Sequence, residues 1–202
     1  MKIGQVFTPG DRAREAASML KDACDDAGMS APTVWDPCCG EGALMRAVKL
    51  MMPRSPVVGT DIDADCVVAA RKEGLSASVG DLFEIEKSMG DALIVNPPYL
   101  GRAKLQSVLG KERVRWLKER YPAEGAGGAD LAAYVLRHCL EVFKPAVSVW
   151  IVTNTIAQGG CRRVGLQWAL RNGYRIPACS GDVKWGEGAG VTVKMFVAVR
   201  YV

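Results

Sequence analysis

The amino-acid sequence predicts a single α/β domain whose mostly parallel β-sheet is covered by helices on both faces. The first observation is an alternation of short β-forming runs with segments of helical apolar spacing, which is typical of βαβ units. The second is that polar side chains follow the predicted strands, at the sheet edge where ligands bind in such folds. The third is composition: 202 residues, 49% hydrophobic and 24% charged, describe a globular chain that can bury a core.

The predicted strands and helices follow one another along most of the chain. Strands are predicted over residues 33–36, 56–61, 76–79, 91–95, 147–152 and 190–202. Helices are predicted over residues 11–27, 43–52, 64–72, 131–143 and 161–172. We expect a seven-stranded sheet whose last strands include an antiparallel member. No repeat or linker divides the chain, so residues 1–202 are predicted to form one domain.

Composition argues against several classes of protein. No apolar run reaches the ~20 residues of a membrane-spanning helix, and the N-terminus lacks the apolar segment of a signal peptide. The seven cysteines form no CxxC pair, and His138 is the only histidine, so neither a disulfide framework nor a metal site is predicted. A cytoplasmic protein without metal or membrane contact fits these features best.

The stretch "TVWDPCCGEGAL" follows the first predicted strand and opens a predicted helix. Gly40 and Gly42 allow a tight turn and a close approach of a ligand to the backbone. The loop is neither GxGxxG nor a phosphate-cradling loop with a lysine, and Asp36 places a carboxylate at the strand end. This arrangement favours a ligand with an ammonium group over a pyrophosphate. A plain tight turn without a ligand is the alternative.

Carboxylates also follow the next two strands. Asp61 in "VVGTDID" lies about twenty residues beyond the glycine loop, where a carboxylate can accept hydrogen bonds from both hydroxyls of a ribose. Asp63 is the predicted N-cap of the next helix, which leaves Asp61 free for a ligand. Asp81 in "SVGDLF" can accept from an adenine amino group, and Leu82 and Phe83 can pack against the base. Three such carboxylates indicate an adenosine-bearing cofactor with a charged tail, and S-adenosylmethionine fits better than NAD.

The fourth strand runs into "NPPY", which offers acceptors for an amine. The exocyclic amine of adenine is a poor nucleophile because its lone pair is delocalised into the ring. The side-chain oxygen of Asn96 and the carbonyl of Pro97 can accept its two N–H groups, and Pro98 helps to hold both acceptors rigidly. Tyr99 offers a ring for stacking the base. The motif therefore predicts methylation of an amine without a covalent intermediate.

Basic residues are concentrated after this motif. Seven of them lie between residues 102 and 120, opposed by two glutamates. A solvated helix face is one interpretation of such a segment, and an edge that contacts phosphates is the other. Charge alone favours the solvated face, and the position next to "NPPY" strengthens the phosphate-contacting interpretation, beginning with Arg102 and Lys104.

The order of "DPCCGEG", "GTDID", "GDLF" and "NPPY" resembles the gamma class of amino-methylating DNA methyltransferases. The stretches "VWIVTNTIAQGG", "RRVGLQWALRNGYRI" and "WGEGAGVTVKMFVAV" are similar to segments of type IIG and type IIL restriction–modification enzymes, so the resemblance covers nearly the whole chain. It implies a Rossmann-like methyltransferase fold and transfer of a methyl group from S-adenosylmethionine to N6 of adenine in DNA. Glutamine-N5 and guanine-N2 methyltransferases share "NPPY", and the "FTP" and "TNTIAQG" segments favour DNA adenine.

The resemblance also assigns individual residues. In "GQVFTP", the residues that match Phe7, Thr8 and Pro9 close over the methionine part of the cofactor in the family. The loop before the final hairpin carries an aromatic residue that faces the target base, and Trp185 occupies the matching place. A ring that merely covers the sheet edge is the alternative at Trp185.

These arguments give the following predicted site. Asn96, Pro97, Pro98 and Tyr99 are the expected catalytic residues. The expected cofactor-binding residues are Phe7, Thr8, Pro9, Asp36, Cys38, Gly40, Gly42, Asp61, Ile62, Asp81, Leu82 and Asn96. The expected substrate-binding residues are Tyr99, Trp185, Arg102 and Lys104.

Two features depart from the family pattern. No segment of the sequence resembles the family's target-recognition domain after the last motif, and none resembles its nuclease before the first motif. We therefore expect a separate specificity subunit or recognition domain to choose the DNA sequence. The alternatives are amino methylation of RNA or protein, and a catalytically silent module of the same fold that binds nucleic acid or a partner.

Overall fold

The computed structural model describes residues 8–123, 125, 128–184 and 192–201, with residues 183–184 described by their backbone alone. Within these residues the helices are α1 (Gly10–Asp26), α2 (Ala43–Met51), α3 (Ala64–Lys72), α4 (Arg102–Leu109), α5 (Lys111–Arg120), α6 (Leu131–His138), α7 (Gly159–Val164) and α8 (Leu166–Arg171). The strands are β1 (Val34–Asp36), β2 (Val57–Asp61), β3 (Ser76–Val79), β4 (Ala92–Val95), β5 (Val147–Thr153), β6 (Tyr174–Cys179), β7 (Val183–Lys184) and β8 (Thr192–Arg200).

The sheet is mostly parallel and reverses at its last strands. The strand order is β3-β2-β1-β4-β5-β8-β6, and the two-residue β7 pairs with β8 outside this path. The pairs from β3 to β5 are parallel, whereas β8 is antiparallel to β5, β6 and β7. The seven strands of the path confirm the predicted α/β fold, including the antiparallel member. The strand order changes direction between β1 and β4, so a crevice opens at their carboxyl ends.

Helices cover both faces because successive strand residues point to opposite sides. In β4, Ala92 and Ile94 pack into a core with α1 and α2, whereas Leu93 and Val95 pack into a larger core with α4 to α8. A smaller cluster joins α3 to β2 and β3. Strands that are buried on both faces are near-continuous apolar runs, which explains why β4 and β5 are readily identified from sequence.

One strand of the path was not predicted. In β6 the register against β8 shifts between Arg175 and Ala178, and Pro177 lies inside this irregularity. A proline lacks the N–H that a sheet ladder requires, so it is tolerated at an edge or a bulge, and β6 ends the strand order. Only Tyr174 is buried in β6, and the proline interrupts its β-forming run, so the strand shows no regular pattern in the sequence.

Several predicted helices differ in detail. The basic segment forms two helices, α4 and α5, which Gly110 separates. The helix predicted over residues 131–143 is α6 followed by a π-helical turn, Cys139–Phe143. The helix predicted over residues 161–172 is divided at Gly165, where an added Cβ would lie 3.0 Å from Leu136 Cδ2. Close packing of this junction against α6 explains the break. In the part of the chain described, no helix combines the length and apolar character needed to cross a bilayer.

Candidate active site

The carboxyl ends of the parallel strands surround a cavity of about 740 Å³. This volume lies within the range of small-molecule sites in proteins, about 300–1,000 Å³. Eleven residues predicted for the site line it together: Thr8, Asp36, Cys38, Gly40, Asp61, Ile62, Asp81, Leu82, Asn96, Pro97 and Pro98. The sheet topology thus brings together residues that are as far apart in the sequence as Thr8 and Pro98.

The glycine loop joins β1 to α2 by a turn that only glycine fits well. Gly42 is the N-cap of α2 with φ +84°, and an added Cβ would lie 2.2 Å from Leu75 Cδ1. Gly42 does not itself line the cavity, whereas Gly40 does. A hydrogen bond joins this loop to β2: the backbone N–H of Gly40 donates to Asp61 Oδ2 at 2.7 Å.

Asp36 is a buried carboxyl at the end of β1, with 1% of its surface exposed. Its Oδ1 accepts a hydrogen bond from the backbone N–H of Cys38 at 3.1 Å. Burial raises the pKa of Asp36 to about 8, and the nearby negative charge of Asp61 adds to this effect. A cation in the cavity would favour the charged form of Asp36. The carboxylate and the cation would then attract each other, which suits a ligand with an ammonium group.

Burial also raises the pKa of the Cys38 thiol, so this side chain stays protonated. A protonated thiol is a poor nucleophile, which agrees with a packing role for Cys38 in the loop.

Asp61 is engaged by the backbone, which corrects the prediction that it is free. Asp63 accepts from Asp65 N at 3.0 Å and caps α3 as predicted. Asp61 nevertheless accepts from Asp63 N at 2.9 Å and from Gly40 N at 2.7 Å. A carboxylate offers about four lone-pair sites, so these two bonds orient Asp61 and still allow a ligand to donate to it.

Asp81 has a partner that sequence analysis missed. Its Oδ1 accepts from Phe83 N at 2.9 Å and caps a short 3₁₀ turn, Leu82–Glu84. Its Oδ2 forms an ion pair with Arg113 of α5, which also lines the cavity. Arg113 belongs to the segment predicted to contact phosphates, and the structure places it at the cavity instead. No local sequence signal identifies this contact, because 32 residues separate the two side chains.

The end of β4 brings Asn96 into a hydrogen-bonded network. Asn96 Nδ2 donates to Thr8 Oγ1 at 2.9 Å, and the Tyr99 hydroxyl donates to Asn96 Oδ1 at 2.7 Å. The same hydroxyl lies 3.1 Å from the carbonyl oxygen of Ile151 in β5. Burial raises the pKa of Tyr99, so the hydroxyl remains a donor. Thr8 and Asn96 are therefore adjacent, although one opens the described chain and the other follows β4.

The remaining predicted residues lie at the margins of this site. The ring of Tyr99 packs against the core on the α1 face, and Tyr99 is not among the residues that line the cavity. Pro9 precedes α1 as its N-cap. Arg102 and Lys104 are exposed on α4 outside the cavity lining. Phe7 and Trp185 lie outside the described residues. In the described ranges, no group of three or more histidine, cysteine or acidic side chains is arranged to hold a metal ion.

Comparison with solved structures defines the class of fold. A putative RNA methyltransferase from Pyrococcus horikoshii is superimposed with a TM-score of 0.63 at 18% identity, over 99% of this chain and 88% of that chain. A modification subunit of a putative type I restriction enzyme from Vibrio vulnificus gives a TM-score of 0.65 at 13% identity, over 98% of this chain and 45% of that chain. Magnesium protoporphyrin IX methyltransferase from Synechocystis, with bound S-adenosylmethionine, gives a TM-score of 0.58 at 15% identity. The match covers 95% of this chain and 80% of that chain. The chain has the Rossmann-like fold of S-adenosylmethionine-dependent methyltransferases.

Sequence comparison gives shorter matches. No known protein-family profile matches the chain. An uncharacterized protein of Mycoplasma genitalium is 33% identical over 89 residues, covering 40% of this chain and 20% of that protein. A 23S rRNA (guanine-N1)-methyltransferase of Streptomyces viridochromogenes is 34% identical over 97 residues, covering 46% and 36%. A release factor glutamine methyltransferase of Chlamydia trachomatis is 34% identical over 74 residues, covering 34% and 26%. The matches thus span about a fifth to a third of these relatives.

Proposed function

We propose that this protein binds S-adenosylmethionine in the cavity and transfers its methyl group to the exocyclic N6 of adenine in DNA. The observation that carries the proposal is the position of the Asn96 amide. It lies at the end of β4, is held by Thr8 and Tyr99, and opens onto the cavity that Asp36 and Asp61 also line. An amide acceptor beside a set of carboxylates that suits an adenosine cofactor supports transfer to an amine.

The residues around the cavity fit the parts of this cofactor. The buried carboxyl of Asp36 suits the ammonium group, Asp61 the ribose hydroxyls and Asp81 the adenine amine. Ile62 and Leu82 provide apolar surface beside them. Bound there, S-adenosylmethionine supplies an electrophilic methyl group. Thr8 lies against Asn96 and supports the assignment of residues 7–9 to the methionine side of the site.

The protein contributes fixed acceptors rather than a nucleophile. Asn96 Oδ1 and the Pro97 carbonyl would accept the N–H groups of the target amine and favour a nitrogen lone pair directed at the methyl group. An amide oxygen has two lone pairs, so Asn96 can accept from Tyr99 and from a substrate amine together. Because Pro97 and Pro98 restrict the backbone, these acceptors need little reorganisation during transfer.

An exposed basic surface that adjoins the site supports a nucleic-acid substrate, and the "FTP" and "TNTIAQG" segments favour DNA. We define the basic surface as Arg102, Lys104, Lys111 and Lys118, all exposed on α4 and α5. Such a surface suits the phosphates of a nucleic acid. Similarity in fold to a modification subunit of a type I restriction enzyme agrees with a separate specificity subunit as the partner.

A second candidate is methylation of an amide in a protein or of guanine in RNA. The observation that favours it is the sequence similarity to a release factor glutamine methyltransferase and to an rRNA guanine methyltransferase. Both candidates use the same cavity, and they differ in the group that reaches Asn96.

A methylation assay separates the candidates. The protein is incubated with isotopically labelled S-adenosylmethionine and, separately, with duplex DNA, total RNA and a protein extract, and the products are identified by mass spectrometry. We expect N6-methyladenine in DNA, formed about 10²–10³ times more slowly by the Asn96→Ala variant. Labelled guanine or glutamine as the main product would establish the second candidate. Cofactor binding by calorimetry without any product would indicate a catalytically silent module.

A further inference from the structure

Arg113 extends from the first turn of α5 to the part of the cavity where β3 ends. Its guanidinium forms the ion pair with Asp81 Oδ2. The guanidinium carbon also lies 5.4 Å from the ring centroid of Phe83 and 4.8 Å from that of Trp116. The two rings are in edge contact, with centroids 5.9 Å apart. Arg113 is therefore held by one carboxylate and two aromatic rings, and its position is closely defined.

Attachment of α5 to the protein does not require this ion pair. Val114 and Leu117 are buried in the large core, and Arg120 at the other end of α5 pairs with Glu141 at 2.7 Å. The side chains of Arg113 and Asp81 are 29% and 24% exposed, so solvent screens the pair in part and lowers its contribution to stability. The position of the pair at the cavity therefore calls for a role toward a ligand.

The pair fixes the orientation of Asp81. Oδ1 is held by Phe83 N and Oδ2 by Arg113, so both carboxylate oxygens have defined positions. A guanidinium is planar and donates in a fixed geometry, which restrains a carboxylate more than a flexible ammonium does. With both oxygens held, the carboxylate cannot rotate to avoid an unfavourable group that is placed against it.

We propose that Arg113 is a specificity-determining positioning residue, which holds Asp81 so that it accepts the adenine amine of the cofactor and rejects a 6-oxopurine. The inference rests on the proposed cofactor. A carboxylate only accepts hydrogen bonds, so it pairs with the amine of an adenosyl group and opposes the carbonyl of an inosyl group. A carboxylate that can turn away loses both the attraction and the repulsion. Removal of Arg113 should therefore reduce discrimination between the two bases.

The test is calorimetric titration with S-adenosylhomocysteine and S-inosylhomocysteine. The proteins compared are the wild type, Arg113→Met, Arg113→Lys and the control Arg115→Met. Arg115 is on the same helix, with 72% of its side chain exposed, and its carboxylate partner Glu119 lies on the same helix. We expect the wild type to prefer the adenosyl ligand and Arg113→Met to lose about tenfold of that preference, as for one charge-assisted hydrogen bond. Arg113→Lys should be intermediate, and Arg115→Met should match the wild type.

A structural role for Arg113 would weaken both ligands equally and lower the melting temperature, and that result would overturn the inference. An unchanged or increased preference in Arg113→Met would do the same. Asp81→Asn gives an independent measurement, because its amide can donate to a carbonyl and should shift the preference toward the inosyl ligand. A wild type that binds neither ligand would remove the proposed cofactor and this inference with it. If the preferences behave as expected but DNA is not methylated, only the proposed substrate is wrong.

Discussion

Asn96 illustrates how much of the site depends on single hydrogen bonds. Its amide nitrogen donates to Thr8 Oγ1, and its oxygen accepts from the hydroxyl of Tyr99, three residues later. The two contacts set which way the amide points, and therefore whether an acceptor or a donor is available to a target amine. An amide with the opposite orientation would present its N–H groups to the substrate and oppose the amine.

The Tyr99→Phe variant should distinguish the contribution of the Tyr99 hydroxyl from that of its ring. The variant keeps an aromatic surface and loses the donor to Asn96 Oδ1. We expect the methyl-transfer rate to fall about three- to tenfold, as for loss of one neutral hydrogen bond, with cofactor affinity nearly unchanged. Asn96→Ala should cost about 10²–10³, since it removes a preorganised acceptor. Single-turnover rates at saturating cofactor are the measurement. A Phe variant as fast as the wild type would mean that the hydroxyl does not orient Asn96.

At the scale of elements, α4 and α5 contribute both to the cavity and to a basic surface. Leu109 and Arg113 line the cavity, whereas Arg102, Lys104, Lys111 and Lys118 are exposed to solvent. The sequence indicated only a basic segment. One face of these helices reaches the cavity and another faces solvent, because residues three or four positions apart in a helix share a face and the others point elsewhere.

The basic surface leads to a prediction about salt. If it contacts DNA phosphates, the logarithm of the DNA affinity should fall linearly with the logarithm of salt concentration. The double variant Arg102→Ala/Lys104→Ala should reduce the steepness of that dependence by up to about two phosphate contacts. Fluorescence anisotropy with a labelled duplex at several salt concentrations gives the slope.

The matched control for this measurement is Lys49→Ala/Lys72→Ala. It removes two exposed lysines from α2 and α3, which pack on the other face of the sheet from α4 and α5. Equal effects of the two double variants would show that net charge alone governs binding. If neither variant changes the slope of the salt dependence, the basic surface is not part of the DNA interface.

At the scale of the whole molecule, the buried carboxyl of Asp36 connects stability to pH. Its pKa is raised from 3.8 to about 8, chiefly by burial. The folded protein therefore binds this proton more tightly than the unfolded chain does. The resulting stabilisation is fully present below about pH 4 and is lost as the pH rises through about 8.

Asp36→Asn should therefore change the pH dependence of the free energy of unfolding. The amide retains an oxygen for the Cys38 N–H and carries no charge, so the loss of stability between about pH 5 and about pH 8 should be smaller than in the wild type. Urea titrations at both pH values give the comparison. Asp22→Asn, an exposed position on α1, is the control and should follow the wild type. A constant difference between Asp36→Asn and the wild type would contradict the raised pKa.

The sequence by itself determined the fold class and the polar residues at the strand ends that line the cavity. Buried parallel strands are continuous apolar runs, and the residues that follow them converge at one edge of the sheet by topology alone. Asp36, Asp61, Asp81 and Asn96 could therefore be assigned to one site without coordinates. The motifs are local, and each lies at the end of an element with a strong periodic signal.

Only the tertiary structure decided how these residues are held. The contacts Thr8–Asn96, Gly40–Asp61 and Asp81–Arg113 join parts of the chain that are 88, 21 and 32 residues apart. No periodicity predicts such pairs, because they depend on which faces of separate elements meet after packing. Strand β6 escaped prediction for a related reason: its partner β8 supplies the ladder, and Pro177 removes the local β signal. Local patterns determined the elements and their polar ends, and packing determined the partners.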